Sequence, residues 1–219
     1  MKKNIFRILA MTLTVAMLAV PVLAATPSVT QNGTTLVPSV SQNGTALVPS
    51  ASQETTAIAD GAIVILDKDD KTVKEVPADA VTLVSFVDRA KADADVAKTL
   101  EAAYKQLTEA KSLADVAPDF ADALKATDEK LKAEDMTVLD LVDVVLKDEY
   151  AKVLAEEGNH VALTFKMNIE KDETMLVLHN YEADKWETIF GDNVTVNDNG
   201  TVTVVFESLS PVAFVVKAN

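Results

Sequence analysis

Asn197-Asp-Asn-Gly-Thr-Val-Thr-Val-Val-Phe-Glu-Ser-Leu-Ser-Pro-Val-Ala-Phe-Val-Val-Lys217 decides the fold class of this chain. It holds two runs rich in β-branched and aromatic residues, Thr201–Glu207 and Ala213–Lys217, the composition of paired strands. Asn197 to Gly200 is a hairpin signal, because Asn-Gly supplies the φ > 0 residues that a tight turn needs. Pro211 keeps Ser210 out of the helical region and has no N–H for a ladder, so it belongs where the chain crosses between strands. In the last run Val212, Phe214 and Val216 alternate with Ala213, Val215 and Lys217, and one set is expected to face a core.

Working upstream, the same reading predicts strands at Val161–Met167, Thr174–His179, Lys185–Phe190 and Asn193–Val196. Ala62–Leu66 and Thr72–Val76, joined by the polar turn Asp67–Lys71, read as a hairpin, and Val81–Val87 as a further strand. The period changes at Asp93. Val96, Leu100, Ala103 and Leu107 are spaced 4, 3 and 4, which predicts a helix over 93–111. A short helix follows from Pro118 with Phe120 and Leu124 inward. Val138–Leu146 fits strand or helix by pattern, and its β-branched content favours a strand. Asp148 is expected to cap a short helix carrying Tyr150, Val153 and Leu154, with Gly158 at its left-handed end. The predicted class for residues 58–219 is α+β: an antiparallel β-sandwich with a helical insertion at about 93–125.

Two segments precede that domain. Lys2, Lys3 and Arg7, the apolar run Ile8–Val20, Pro21 and the small residues before Ala25 have the form of a signal peptide spanning 1–24. That run is too short to span a bilayer comfortably, so no membrane span is expected after cleavage. Pro27-Ser-Val-Thr-Gln-Asn-Gly-Thr-Thr-Leu-Val37 is then repeated as Pro38-Ser-Val-Ser-Gln-Asn-Gly-Thr-Ala-Leu-Val48. Each unit has too few large apolar side chains to offset chain entropy, so 25–57 is expected to be a disordered stalk. The product is expected outside the cell, released or held non-covalently at the surface. The chain has no cysteine, which leaves no disulfide framework, thiolate metal site or cysteine nucleophile. Its net charge is −14; the leader removes three cations and no acid, taking the mature chain to −17. Such a field repels nucleic acid, which is excluded as a partner.

The stretch Trp186-Glu-Thr-Ile, followed by Gly200-Thr-Val-Thr and then Leu209-Ser-Pro-Val-Ala213, resembles the closing strands of β-sandwich modules in secreted and cell-surface proteins of Gram-positive bacteria. Thr99-Leu-Glu-Ala-Ala-Tyr-Lys-Gln106 and Ser112-Leu-Ala-Asp-Val116 are similar to helices in exported proteins of this size. The resemblance covers 60–219 and implies a module type. It brings no catalytic residues with it.

Chemistry is sparse in the sequence. His160 and His179 stand in separate predicted strands, framed by no metal or nucleophile motif, and read as structural or surface residues. The serines at 208–210 lie at a turn with no base near them in sequence, and no G-x-S-x-G elbow is present. Asp67, Asp69 and Asp70 present several oxygens in one turn, which suits either calcium or a solvated acidic hairpin, without EF-hand spacing. Tyr181 and Trp186 flank the turn at 182–185. They form either an aromatic platform for a sugar ring or, with Trp186 inward, part of the core. The function predicted is a non-catalytic extracellular module that binds a glycan or protein. The alternative is a secreted hydrolase of polysaccharide or peptide, working through a carboxylate pair.

Overall fold

The computed structural model describes residues 56–167 and 169–217. The predicted leader, and all of the predicted stalk before Thr56, lie outside the described residues. In chain order the elements are β1 (Ala57–Ile58), β2 (Ile63–Leu66), β3 (Thr72–Val76), β4 (Val81–Ser85), α1 (Ala94–Glu109), α2 (Leu113–Val116) and α3 (Phe120–Thr127). They continue with β5 (Met136–Leu146), α4 (Asp148–Leu154), β6 (His160–Lys166), β7 (Met175–Glu182), β8 (Lys185–Ile189), β9 (Val194–Val196), β10 (Thr201–Phe206) and β11 (Pro211–Lys217). The fold is α+β, as its sequence predicts, and Val138–Leu146 belongs to a strand.

Two antiparallel sheets form. The first has the order β3-β2-β6-β10-β9, with β1 also on β6; the second has the order β4-β5-β11-β7-β8. Ile65, Leu163, Phe165, Val204 and Phe206 of the first sheet share one apolar cluster with Val142, Val177 and Phe214 of the second. The sheets therefore meet face to face, as in a sandwich. Phe165 anchors this layer, with its ring edge-on to Phe214 at 5.0 Å and to Phe206 at 6.2 Å.

The opposite face of the second sheet is covered as well. Leu100, Ala103 and Leu107 of α1 and Phe120, Ala123 and Leu124 of α3 pack on Leu141, Leu176, Leu178, Trp186, Ala213 and Val215. The helical insertion is thus a third layer. Asp119, just before α3, fastens it: its carboxylate accepts from the Thr188 N–H and hydroxyl, both at 3.0 Å. Double coverage corrects the expectation for β11, where Val212, Phe214 and Val216 enter the inter-sheet core while Ala213 and Val215 are buried under the helices. It also explains why β5 is buried everywhere except Val145, with its apolar side chains interrupted by Thr137, Asp140 and Asp143.

Three local expectations change. In the β9–β10 hairpin Asn197 N–H donates to Thr201 O at 2.8 Å and Gly200 N–H to Asn197 O at 3.0 Å. Among Asp198, Asn199 and Gly200 only Gly200 has positive φ, at 77°, so this is a three-residue loop closed by a left-handed glycine rather than a two-residue Asn-Gly turn. Asp148 lies in the first turn of α4, and Lys147 occupies the cap without a side-chain bond. Gly158 (φ 86°) sits beyond the Ala155 cap, in the turn leading to β6.

Candidate functional site

The expected aromatic platform is divided between interior and surface. Tyr181 and Trp186 sit on opposite arms of the β7–β8 hairpin, whose turn uses Asp184 at φ 64°. Tyr181 is 46% exposed, but Trp186 is 5% exposed and belongs to the helix–sheet cluster. Its indole N–H donates to Gln106 Oε1 on α1, and Gln106 Nε2 in turn donates to Asp184 Oδ1. The helical layer claims the ring, so the two aromatics present no shared stacking surface.

The acidic turn satisfies itself. Asp67 Oδ1 accepts from Asp69 N–H at 2.8 Å and Lys71 N–H at 3.0 Å, and these bonds hold its carboxyl below the usual range. Asp69 pairs with Lys68 at 2.9 Å and Lys71 at 3.6 Å. Asp70, at φ 58°, faces His160 Nε2 at 3.2 Å. The three carboxylates turn to different partners. Among the described residues no group of three or more His, Cys, Asp or Glu is arranged to hold a metal.

Two buried carboxylates on β5 stand out instead. Asp140 accepts from Thr56 Oγ1 at 2.5 Å, Ser85 Oγ at 3.1 Å and Leu141 N–H at 2.8 Å. Burial pushes its carboxyl up against those bonds. Beside this joint a cavity of about 300 Å³ is lined by Thr56, Leu83, Val84, Ser85, Asp88 and Lys91. Asp143 is pushed up to about 6 by burial, opposed only by the Val144 N–H. Asp140 pairs across the ladder with Phe214 of the inter-sheet core, whereas Asp143 is two residues beyond Leu141 of the helix-side cluster. By strand alternation they face opposite sides of the sheet, so they do not converge as a glycosidase pair would.

A constellation absent from the sequence reading lies at the β10–β11 corner. His179 is 1% exposed, with its ring edge-on to Phe206 at 5.8 Å. Its Nε2 is 2.8 Å from Ser210 Oγ and its Nδ1 is 2.8 Å from Glu187 Oε1. Ser210 Oγ also donates to Asn180 O at 2.7 Å, so one hydroxyl proton faces two acceptors. Toward Nε2, with Nδ1–H held by Glu187, the group has the bonding order of a serine–histidine–acid triad. Toward Asn180 O, Nε2 must donate, and the group is a cross-link between β7, β8 and β11. Ser210 and His179 are 31 positions apart, and the only local signal was a histidine closing the apolar run Met175–Leu178.

The outer face of the first sheet is the remaining feature. Thr203 of β10 is in register with Thr195 of β9 on one side and Thr164 of β6 on the other. Thr164 and Thr203 share a hydroxyl hydrogen bond of 2.9 Å, and Asn197 Nδ2 donates to Thr203 Oγ1 at 3.1 Å. Val205 and Ala162 form the next pair along the ladder, and Thr201 and Lys166 flank the rung on its other side. All of these side chains are half-buried or exposed.

No family model, curated protein or solved structure matches the chain.

Proposed function

We propose that this chain is an extracellular module, secreted or held non-covalently at a bacterial surface, that binds a glycan through the outer face of its first sheet. The basic-then-apolar leader and the eleven-residue repeats support export and a stalk. One observation carries the binding reading: the in-register rung Thr195–Thr203–Thr164, whose side chains are half-buried or exposed among the described residues. Adjacent strands lie about 4.8 Å apart and set the three threonines in one row, with the Thr164 and Thr203 hydroxyls linked at 2.9 Å, a flat polar row that suits a flat polymer rich in its own hydroxyls. This reading requires no catalytic step. A protein partner on the same face is the other outcome of the test.

The test is retention on isolated cell walls, with and without their polysaccharide. Retention is expected, with loss on stripping the polysaccharide and at least a tenfold loss in Ala162→Glu, which sets a charge on the exposed middle of the face. Equal retention by Ala162→Glu and the parent chain refutes the assignment of this face. Retention that needs calcium would return Asp67, Asp69 and Asp70 as ligands.

A second reading, a secreted hydrolase, is favoured by one observation, the Ser210–His179–Glu187 bonding order. It differs from the sequence-based version in using a hydroxyl nucleophile instead of a carboxylate pair.

A further inference from the structure

The geometry points to Ser210 as the nucleophile of an esterase site, with His179 as its base and Glu187 as the residue that orients the base; this rests on the hydrolase reading. A serine hydroxyl attacks only when a neighbour takes its proton, and His179 Nε2 is placed to do so at 2.8 Å. The imidazole presents that nitrogen only if its proton is held on Nδ1, where Glu187 Oε1 lies at 2.8 Å. Two of the three groups, His179 and Glu187, are mounted on ladder strands, and the third sits at the entry to one. His179 is in register with Val212 of β11 and Glu187 of β8, and Ser210 immediately precedes β11. Such mounting fixes a site more tightly than a free loop does.

Access selects the substrate class. Ser210 is half-exposed, next to the exposed Glu207 and Ser208, while His179 lies beneath it with Nε2 facing Oγ, so Nε2 is reached from the side of Ser210. An acyl group must therefore reach Oγ from the surface, which suits a short O-acyl ester carried on a polymer, such as an esterified glycan. Oγ would attack the ester carbonyl carbon as its proton passes to Nε2. The alcohol leaves with that proton, and the acyl group stays on Ser210. Water, giving its proton to Nε2, then attacks the acyl-serine, releases the acid and restores the hydroxyl. Asn180 O competes for the resting hydroxyl proton.

The experiment exposes the exported chain to a fluorophosphonate probe and, separately, to p-nitrophenyl acetate. Peptide mapping is expected to place the phosphonyl group on Ser210, with no label in Ser210→Ala. Glu187→Gln, at a half-exposed side chain, should keep the fold by Trp186 fluorescence while labelling at least ~10-fold more slowly. Absence of label from Ser210 overturns the inference, as does labelling of folded Glu187→Gln at the parent rate. Wall retention is measured on the same samples, so loss of the esterase site and loss of the glycan-binding reading are separate results.

Discussion

Asp143 shows how one residue makes stability depend on pH. Its carboxyl, in a strand covered on both faces, is 6% exposed, has no cation among the described residues to hold its charge, and is pushed from 3.8 to about 6. The folded state therefore keeps the proton over a range in which the unfolded chain has lost it. Below about pH 3 both states are protonated and the cost is absent. It grows as the pH rises toward and through 6 and is complete above that, at roughly 3 kcal/mol. Asp140 pulls in the same direction, since burial raises it too. Asp143→Asn is expected to raise the melting temperature by roughly 6–12 °C at pH 7.5 and to leave it nearly unchanged at pH 3. Thermal melts at the two pH values check this, and an equal shift at both would remove the charge as the cause.

At the scale of elements, the layer α1–α3 determines what the second sheet can do. Leu107 is fully buried between α1 and that sheet, so Leu107→Ala should cost about 2–5 kcal/mol, read from denaturant midpoints. Trp186 reports the same layer, because it is the chain's one tryptophan and bonds to Gln106 of α1. Its emission should be blue-shifted, resist acrylamide quenching and stay unchanged when a glycan is added. A glycan-dependent shift would put the ring in a binding surface after all. Sequence periodicity located α1 to within two residues at each end, since its apolar spacing is set within the helix itself.

At the largest scale, among the described residues, the order of layers is first sheet, second sheet, then α1–α3, while Leu154 of α4 joins the core between the sheets. Replacing residues 93–127 by a short Gly-Ser link would bare Leu141, Leu176, Leu178, Ala213 and Val215 together. An apolar face of that kind drives association, so the shortened chain is expected to aggregate on size-exclusion chromatography, whereas the parent chain elutes as a discrete species. A soluble, folded product would mean that the helices decorate the sandwich and are not part of its core.

Much of the architecture was legible because it is local. Strand alternation, the 4-3-4 spacing of α1 and the turn residues at 67–71 and 197–200 act between near neighbours, so the sequence alone located most of the strands and helices; it did not find β1, and the strand expected over 81–87 ends at Ser85, where a 3-10 turn begins. The face each side chain serves was settled only in three dimensions. Val212 and Val215 both look apolar, and only the helical layer decides that opposite sides of β11 are both interior. The candidate triad depends on tertiary structure in the same way. A regular ladder from the Glu182–Lys185 pair would set His179 opposite Thr188; the register shift between His179 and Glu182 brings Glu187 there instead. Ser210 reaches the same ring from 31 residues away because β11 lies beside β7. Periodicity carries the signal for an element, whereas a site made of residues on separate strands exists only once the sheet order and its bulges bring them together.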